Sequence, residues 1–181
     1  MKFLETKVAG AFILDIEPRR DARGYFARTF DRSEFRRRGL ASSFAECSVS
    51  FNERRGTLRG LHYQIRPHPE AKLVRCTRGR IHDVILDLRP RSPTRGRWHA
   101  VELGAENGRL LYIPEGVAHG FLTLEARSEV YYEISAPYAP ACARGIRWDD
   151  PTFAIRWPAP PKVISERDRA YPDYAGRGVR R

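Results

Sequence analysis

Gly56-Thr57-Leu58-Arg59-Gly60-Leu61-His62-Tyr63-Gln64 sets a histidine, an arginine and two glycines inside a short, otherwise apolar run that reads as a β-strand. Outward from it the same texture recurs: apolar runs of about four to eight residues, often alternating and rich in Val, Ile, Phe and Tyr, broken by Gly, Pro, Asp or Asn. Strands are expected over 11–16, 24–30, 44–51, 57–64, 72–76, 80–88, 97–103, 109–113, 119–124 and 129–135. One short helix is expected after Asp31, which can cap it, with Glu34 as capping-box partner, Phe35 as apolar face and Gly39 as stop. From Trp148 prolines multiply (Pro151, Pro158, Pro160, Pro161, Pro172), so 148–181 reads as a tail lying over the strands, not another strand. Within the tail, Ser165-Glu166-Arg167-Asp168 opens a helical turn. Short antiparallel strands joined by tight turns make the expected fold all-β: a double-sheet jelly roll with short peripheral helices and a mouth able to hold one ligand.

At 181 residues, with no shift in composition, the chain is expected to form one domain over 1–181. The start, Met1-Lys2-Phe3-Leu4-Glu5-Thr6-Lys7, is charged and leads into no long apolar run, so neither a signal peptide nor a membrane span is expected. The expected location is cytoplasmic. Cys47, Cys76 and Cys142 are odd in number, far apart and in or near apolar runs, which favours buried thiols over disulfides or a zinc site. The formal charge of +11 is nearly all arginine spread along the length, since lysine occurs only at 2, 7, 72 and 162. Without a dense basic block or arm, nucleic acid is not the expected partner. A small anionic ligand fits better, and a surface arginine needs no partner at all.

Two spacings match the paired motifs of the cupin family. The second is nearly complete: Gly108, Pro114, Gly116 and His119 at the family intervals, with Thr123 where Asn is usual. The first, Gly56, His62, Gln64, Lys72 and Gly79, is altered in its chemistry. Gln64 and Lys72 occupy places where metal-binding cupins carry a second His and a Glu, and an ammonium there repels a cation. The expectation is a cupin with no metal and no cofactor, holding an anionic or enolate-bearing ligand in that space.

Within cupins the chain resembles the dTDP-4-dehydrorhamnose 3,5-epimerase family. The resemblance rests on Asp21-Ala22-Arg23-Gly24, Cys47-Ser48-Val49-Ser50, Leu58 to Tyr63, Ala71-Lys72-Leu73-Val74, Ser92-Pro93-Thr94, Ile113 to Phe121, Gly145 to Pro151, and Ser165 to Asp168, in order across nearly the whole chain. It implies epimerisation at C3 and C5 of a nucleotide-diphospho-4-keto-6-deoxyhexose through an enolate. It assigns His62 as base, Asp168 as its partner, Lys72 as stabiliser of the C4 oxyanion and Tyr132 as the acid that returns the proton. Such chemistry needs a base on one face, a donor at the enolate oxygen and an acid on the other face. By strand period Lys72 shares an inward face with Val74 and Cys76, and an inward lysine needs an anion. Read from the residues alone, Tyr132 would be a packing aromatic on the face of Val130 and Ile134.

For binding, the resemblance implies that Arg59 and Arg23 grip the diphosphate, Arg23 coming from the neighbouring subunit of a homodimer with an exchanged N-terminal strand. Tyr138 would stack on the nucleobase, His119 would contact sugar or phosphate, and Ser50, Gln64 and Arg167 would complete the substrate site. Arg59 and His62, three positions apart, would face opposite sides of a regular strand, so a bulge or kink is expected at Gly60. The chain departs from the family pattern at Arg28, Phe44, Glu46, Glu133 and Ala143, on what is expected to be the nucleotide side of the pocket. A one-centre epimerase, an enzyme for a CDP- or GDP-linked sugar, and a non-catalytic sugar-binding cupin are the alternatives.

Overall fold

The computed structural model describes residues 1–175. Along the chain run β1 (Lys2–Glu5), β2 (Phe12–Asp15), β3 (Arg19–Asp21), β4 (Gly24–Phe26), α1 (Arg32–Arg37), β5 (Glu46–Asn52), β6 (Thr57–Gln64) and β7 (Lys72–Arg78). There follow β8 (Arg80–Asp87), β9 (Trp98–Gly104), β10 (Leu110–Ile113), β11 (Val117–Thr123), β12 (Ser128–Ile134), β13 (Ala143–Gly145), β14 (Val163–Ile164) and α2 (Glu166–Arg169). One sheet has the order β1-β2-β10-β7-β12-β5; the other is β13-β6-β11-β8-β9, with β14 beside β6, and β3–β4 forms a separate hairpin. The architecture is a double-stranded β-helix jelly roll, the cupin arrangement.

Three apolar layers explain why several strands read as continuous apolar runs instead of alternating ones. The inner faces of both sheets meet through Val74, Cys76, Ile85, Phe121 and Val130. On the outside of the first sheet, Leu73, Leu110 and Tyr112 are covered by Phe35 of α1, whose ring meets Phe3, Phe30 and Tyr112 edge-on. On the outside of the second, Leu61, Val84 and Leu86 lie under Ile146 and, from the tail, Phe153, Trp157 and Tyr174. A strand covered on both faces has no polar side to show. Trp157 Nε1 donates to Trp148 O at 2.9 Å and Trp98 Nε1 to Phe153 O at 3.1 Å, so the covering indoles keep their polar ends satisfied.

The structure corrects several expectations. The run expected over 24–30 keeps strand geometry only to Phe26, pairing with β3. The tail does contribute a strand: Val163 and Ile164 run parallel to Thr57 and Leu58, anchored by Lys162 and Val163 N–H groups donating to Gly56 O. Those two residues lie just beyond Pro160 and Pro161, where backbone donors are available again. β1, β3, β13 and β14 were not expected at all, being two to four residues long, too short for a period to register. Asp31 caps α1 by accepting from Ser33 and Glu34 N–H, but Glu34 does not reciprocate as a capping box; its carboxylate takes Arg37 and Arg38.

Candidate active site

Between the two sheets opens a cavity of about 670 Å³. From the second sheet β6 supplies Arg59 and His62 and β11 supplies His119; from the first, β5 supplies Ser50, β7 Lys72 and β12 Tyr132. Tyr138, Arg144, Arg167 and Asp168 line it as well.

Arg59 and His62 reach one cavity because β6 is not regular. Across to β11, His119 pairs with His62 and Phe121 with Arg59, so three steps on β6 face two on β11. The extra residue is a bulge centred on Gly60, as the spacing of Arg59 and His62 required. Gly60 has φ +122°, and a Cβ on it would lie 2.5 Å from Gly120 Cα and 2.8 Å from His119 O. Only glycine allows both that backbone conformation and that approach.

His62 Nε2 lies 2.6 Å from Asp168 Oδ1. Asp168 sits in α2, whose N-cap Ser165 accepts the Asp168 N–H at 3.1 Å, and Asp168 Oδ2 accepts Gly60 N–H at 3.2 Å. Burial pushes this carboxyl up, but hydrogen bonds from His62, Gly60 and Ser165, with the charge of His62, hold it below the usual aspartate value. A carboxylate can only accept, so Nε2 carries the proton, and in the neutral imidazole Nδ1 keeps the lone pair. The His62 side chain is 42% exposed, against 5% for Asp168. The imidazole is thus oriented by a buried anion yet open to the cavity.

Tyr132 stands on the facing sheet. Burial first, and the charge of Asp83 second, push its phenol far above the usual tyrosine range, partly offset by Arg59 and a hydrogen bond with Ser50. It is therefore a protonated donor at every ordinary pH. Beneath it His119 Nε2 meets Asp83 Oδ2 at 2.8 Å, with side chains 4% and 0% exposed, and the His119 ring is 6.0 Å from that of Tyr132. Lys72 Nζ lies 2.8 Å from Glu70 Oε1. Lys72 does point inward as its period requires, and its anion is a residue of the chain.

At the rim, Arg59 Nε donates to Asn52 Oδ1 at 2.8 Å and Arg167 Nε to Tyr171 Oη at 2.9 Å. Arg167 is also hydrogen-bonded to Tyr138. Four cations, Arg59, Lys72, Arg144 and Arg167, line the cavity against Glu70 and Asp168, both already paired, so the lining favours an anion. Among the described residues no three His, Cys, Asp or Glu side chains converge as a metal cage would need.

Gln64 lines the cavity, while Arg23, expected to serve the neighbouring subunit, lies outside it. Gln64 is buried and its amide bonds within the chain: Nε2 donates to His68 O and Pro137 O, and Oε1 accepts Ala139 N–H at 2.6 Å. It pins the loop that carries Tyr138. Arg23 lies in the turn of the β3–β4 hairpin, 89% exposed and paired with Asp21, outside the cavity of its own chain. Of the departures expected near the nucleotide, only Ala143 lines the cavity. Phe44 packs on Phe30, Arg28 pairs with Asp31, Glu46 accepts Tyr138 N–H, and Glu133 is half-buried. Glu70, Asp83, Asn52 and Arg144 were missed. For Asp83 an inward position between Ile81 and Ile85 on one strand face was the available signal.

Residues 5–175 match the family described as dTDP-4-dehydrorhamnose 3,5-epimerase. The dTDP-4-dehydrorhamnose 3,5-epimerase of Sinorhizobium fredii (strain NBRC 101917 / NGR234) is 44% identical over 160 residues, 87% of this chain and 82% of that protein. A crystal structure of the enzyme of that name from Elizabethkingia anophelis NUHP1 superposes with a TM-score of 0.92 at 34% identity, covering 96% of each chain. Another, from Bacillus anthracis str. Ames with TDP and PPi bound, gives a TM-score of 0.91 at 36% identity, covering 96% of this chain and 99% of that one. With this coverage and a cavity lined by the motif residues, the chain belongs to the dTDP-4-dehydrorhamnose 3,5-epimerase family of isomerases.

Proposed function

We propose that the cavity epimerises C3 and C5 of dTDP-4-dehydro-6-deoxyglucose, giving dTDP-4-dehydrorhamnose without a cofactor. One observation carries the reading: His62 and Tyr132 enter the same cavity from opposite sheets, so base and acid approach a bound ring from opposite faces. His62 Nδ1 takes the proton next to the C4 ketone, and the electron pair of the broken C–H bond moves onto the C4 oxygen. Lys72 donates to that oxyanion. The electrons then return, and the ring carbon takes a proton from the Tyr132 phenol on the other face, inverting its configuration. Asp168 holds the tautomer before abstraction and stabilises the imidazolium after it. The family name and the bound TDP of the Bacillus anthracis structure support the nucleotide.

Arg59 and Arg167 are assigned to the diphosphate, Tyr138 to the base, and Ser50 and His119 to orienting Tyr132 and the sugar. Arg23 is assigned to the second cavity of a homodimer. In support, its hairpin presents Tyr25 at 51% and Phe26 at 75% exposure, apolar surface that a second copy would cover. We read 1–181 as a single cupin domain acting in the cytoplasm; among the described residues no helix is long and apolar enough to cross a membrane.

The test is incubation with dTDP-4-keto-6-deoxyglucose, and separately its CDP and GDP counterparts, in D2O, followed by NMR. Deuterium at C3 and C5 of the dTDP sugar is the expected result. Label at one carbon makes the protein a one-centre epimerase, preference for CDP or GDP moves the nucleotide, and no label with any donor leaves a sugar-binding cupin.

A further inference from the structure

We propose that Glu70 is a positioning residue that acts through Lys72, an inference that rests on the functional reading above. Glu70 stands two residues before Lys72 and lines the same cavity. Its Oε1 is 2.8 Å from Lys72 Nζ, with the side chains 9% and 10% exposed respectively. Lys72 Nζ also faces the His62 carbonyl oxygen at 3.5 Å. An ammonium has three N–H donors and accepts nothing. Two of them are aimed at fixed acceptors of the chain, which sets the direction of the third, and Lys72 borders the cavity.

A lysine on its long stem would otherwise sample many rotamers, and a donor that wanders contributes little to a charge that exists only in the transition state. Glu70 removes that freedom before substrate arrives. It also supplies the counter-charge that lets an ammonium rest in a nearly closed site, so substrate does not have to. The carboxylate does not cancel the benefit. Coulomb energy falls with distance, and an oxyanion touching Nζ has the ammonium nearest to it and Glu70 behind. Glu70 as a base in its own right is disfavoured by the same pair, because its Oε1 is already engaged by the ammonium at 2.8 Å.

Deuterium exchange into dTDP-4-keto-6-deoxyglucose separates the possibilities. Exchange by the natural protein establishes the functional reading; if it does not exchange at all, that reading fails and the inference falls with it. Given exchange, Glu70→Ala is expected to lower kcat about ten- to a hundredfold, with KM within about threefold, as for a misplaced catalytic group. Glu70→Gln, whose amide oxygen still accepts from Nζ, should recover kcat to within about fivefold. In a Lys72→Met background, Glu70→Ala should cost nothing further, which a merely structural residue would not obey. Natural kcat in Glu70→Ala, or an equal loss with and without Lys72, would overturn the proposal. Should Glu70→Ala not fold, Glu70→Asp, which draws the carboxylate back by one methylene, must lose more than Glu70→Gln; the reverse order overturns it equally.

Discussion

His62 with Asp168 and His119 with Asp83 are the same chemical pair, built on neighbouring strands and directly opposite each other in register. Their Nε2–carboxylate distances are 2.6 and 2.8 Å, too close to distinguish them. What differs is the surroundings. His62 is 42% exposed toward the cavity while His119 is 4% exposed, so only the first has a nitrogen that a substrate proton can reach. Asp168 has a backbone N–H and a capped helix behind it, whereas Asp83 Oδ1 has no hydrogen-bond partner among the described residues. The second pair acts through space instead: the charge of Asp83 helps keep Tyr132 protonated. In the proposed mechanism one motif thus serves as base or as electrostatic support, and exposure decides which.

The largest effect that could break this comparison is in catalysis. His62→Ala should reduce deuterium incorporation by about 10³- to 10⁴-fold, the scale of a lost general base. His119→Asn should lose only about tenfold, through looser placement of Tyr132. Equal losses in an NMR exchange assay would mean that exposure does not assign the roles.

Next comes stability, where the order should reverse. Asp83→Ala leaves a buried imidazole unpartnered and is expected to cost about 3–5 kcal/mol in urea unfolding. Asp168→Ala releases His62 to water and should cost about 1–2 kcal/mol. A smaller loss at Asp83 than at Asp168 would show that the buried pair is not what holds this part of the barrel.

The bulge at Gly60 links the two pairs, since it sets His62 opposite His119 while leaving Arg59 in the cavity. Gly60→Ala forces a Cβ against Gly120 and His119 O in a backbone region hostile to L side chains. About 2–3 kcal/mol of stability should be lost, together with alignment of Arg59, seen as a raised KM. An unchanged KM would separate the bulge from substrate binding.

The bulge was legible in the sequence because two residues three apart both had to face one ligand, and only glycine offered a break. The strands were legible wherever four or more apolar residues recurred. Val163–Ile164 was not, because two residues carry no period and their partner, Thr57–Leu58, lies over a hundred positions away. Motif spacing brought out His62 and Lys72, the family resemblance brought out Tyr132, and the cavity contains all three. Glu70 stayed hidden because a glutamate between Pro69 and Ala71 reads as a solvated loop residue; only the fold turns it onto Lys72. Gln64 has a structural role that the sequence did not show. Motif spacing set it at the site, but spacing cannot say that its amide also holds the neighbouring loop.

The smallest expected effect separates the pairs by acid. Asp168 has its folded value held below the ordinary 3.8 despite burial, by hydrogen bonds from His62, Gly60 and Ser165. A carboxyl lowered on folding contributes stability that is present above the unfolded value and disappears as pH falls through the folded one. The stability gap between the natural protein and Asp168→Asn should therefore be constant above about pH 5 and close as pH falls below 4. The substitution leaves the Asp168 backbone N–H on Ser165, so the helix cap is not lost with the charge. Urea unfolding at intervals between pH 3 and 7 reads the gap directly. A gap that widens toward acid would mean that burial, not the hydrogen bonds, dominates at Asp168, and that the open pair is the more strained of the two.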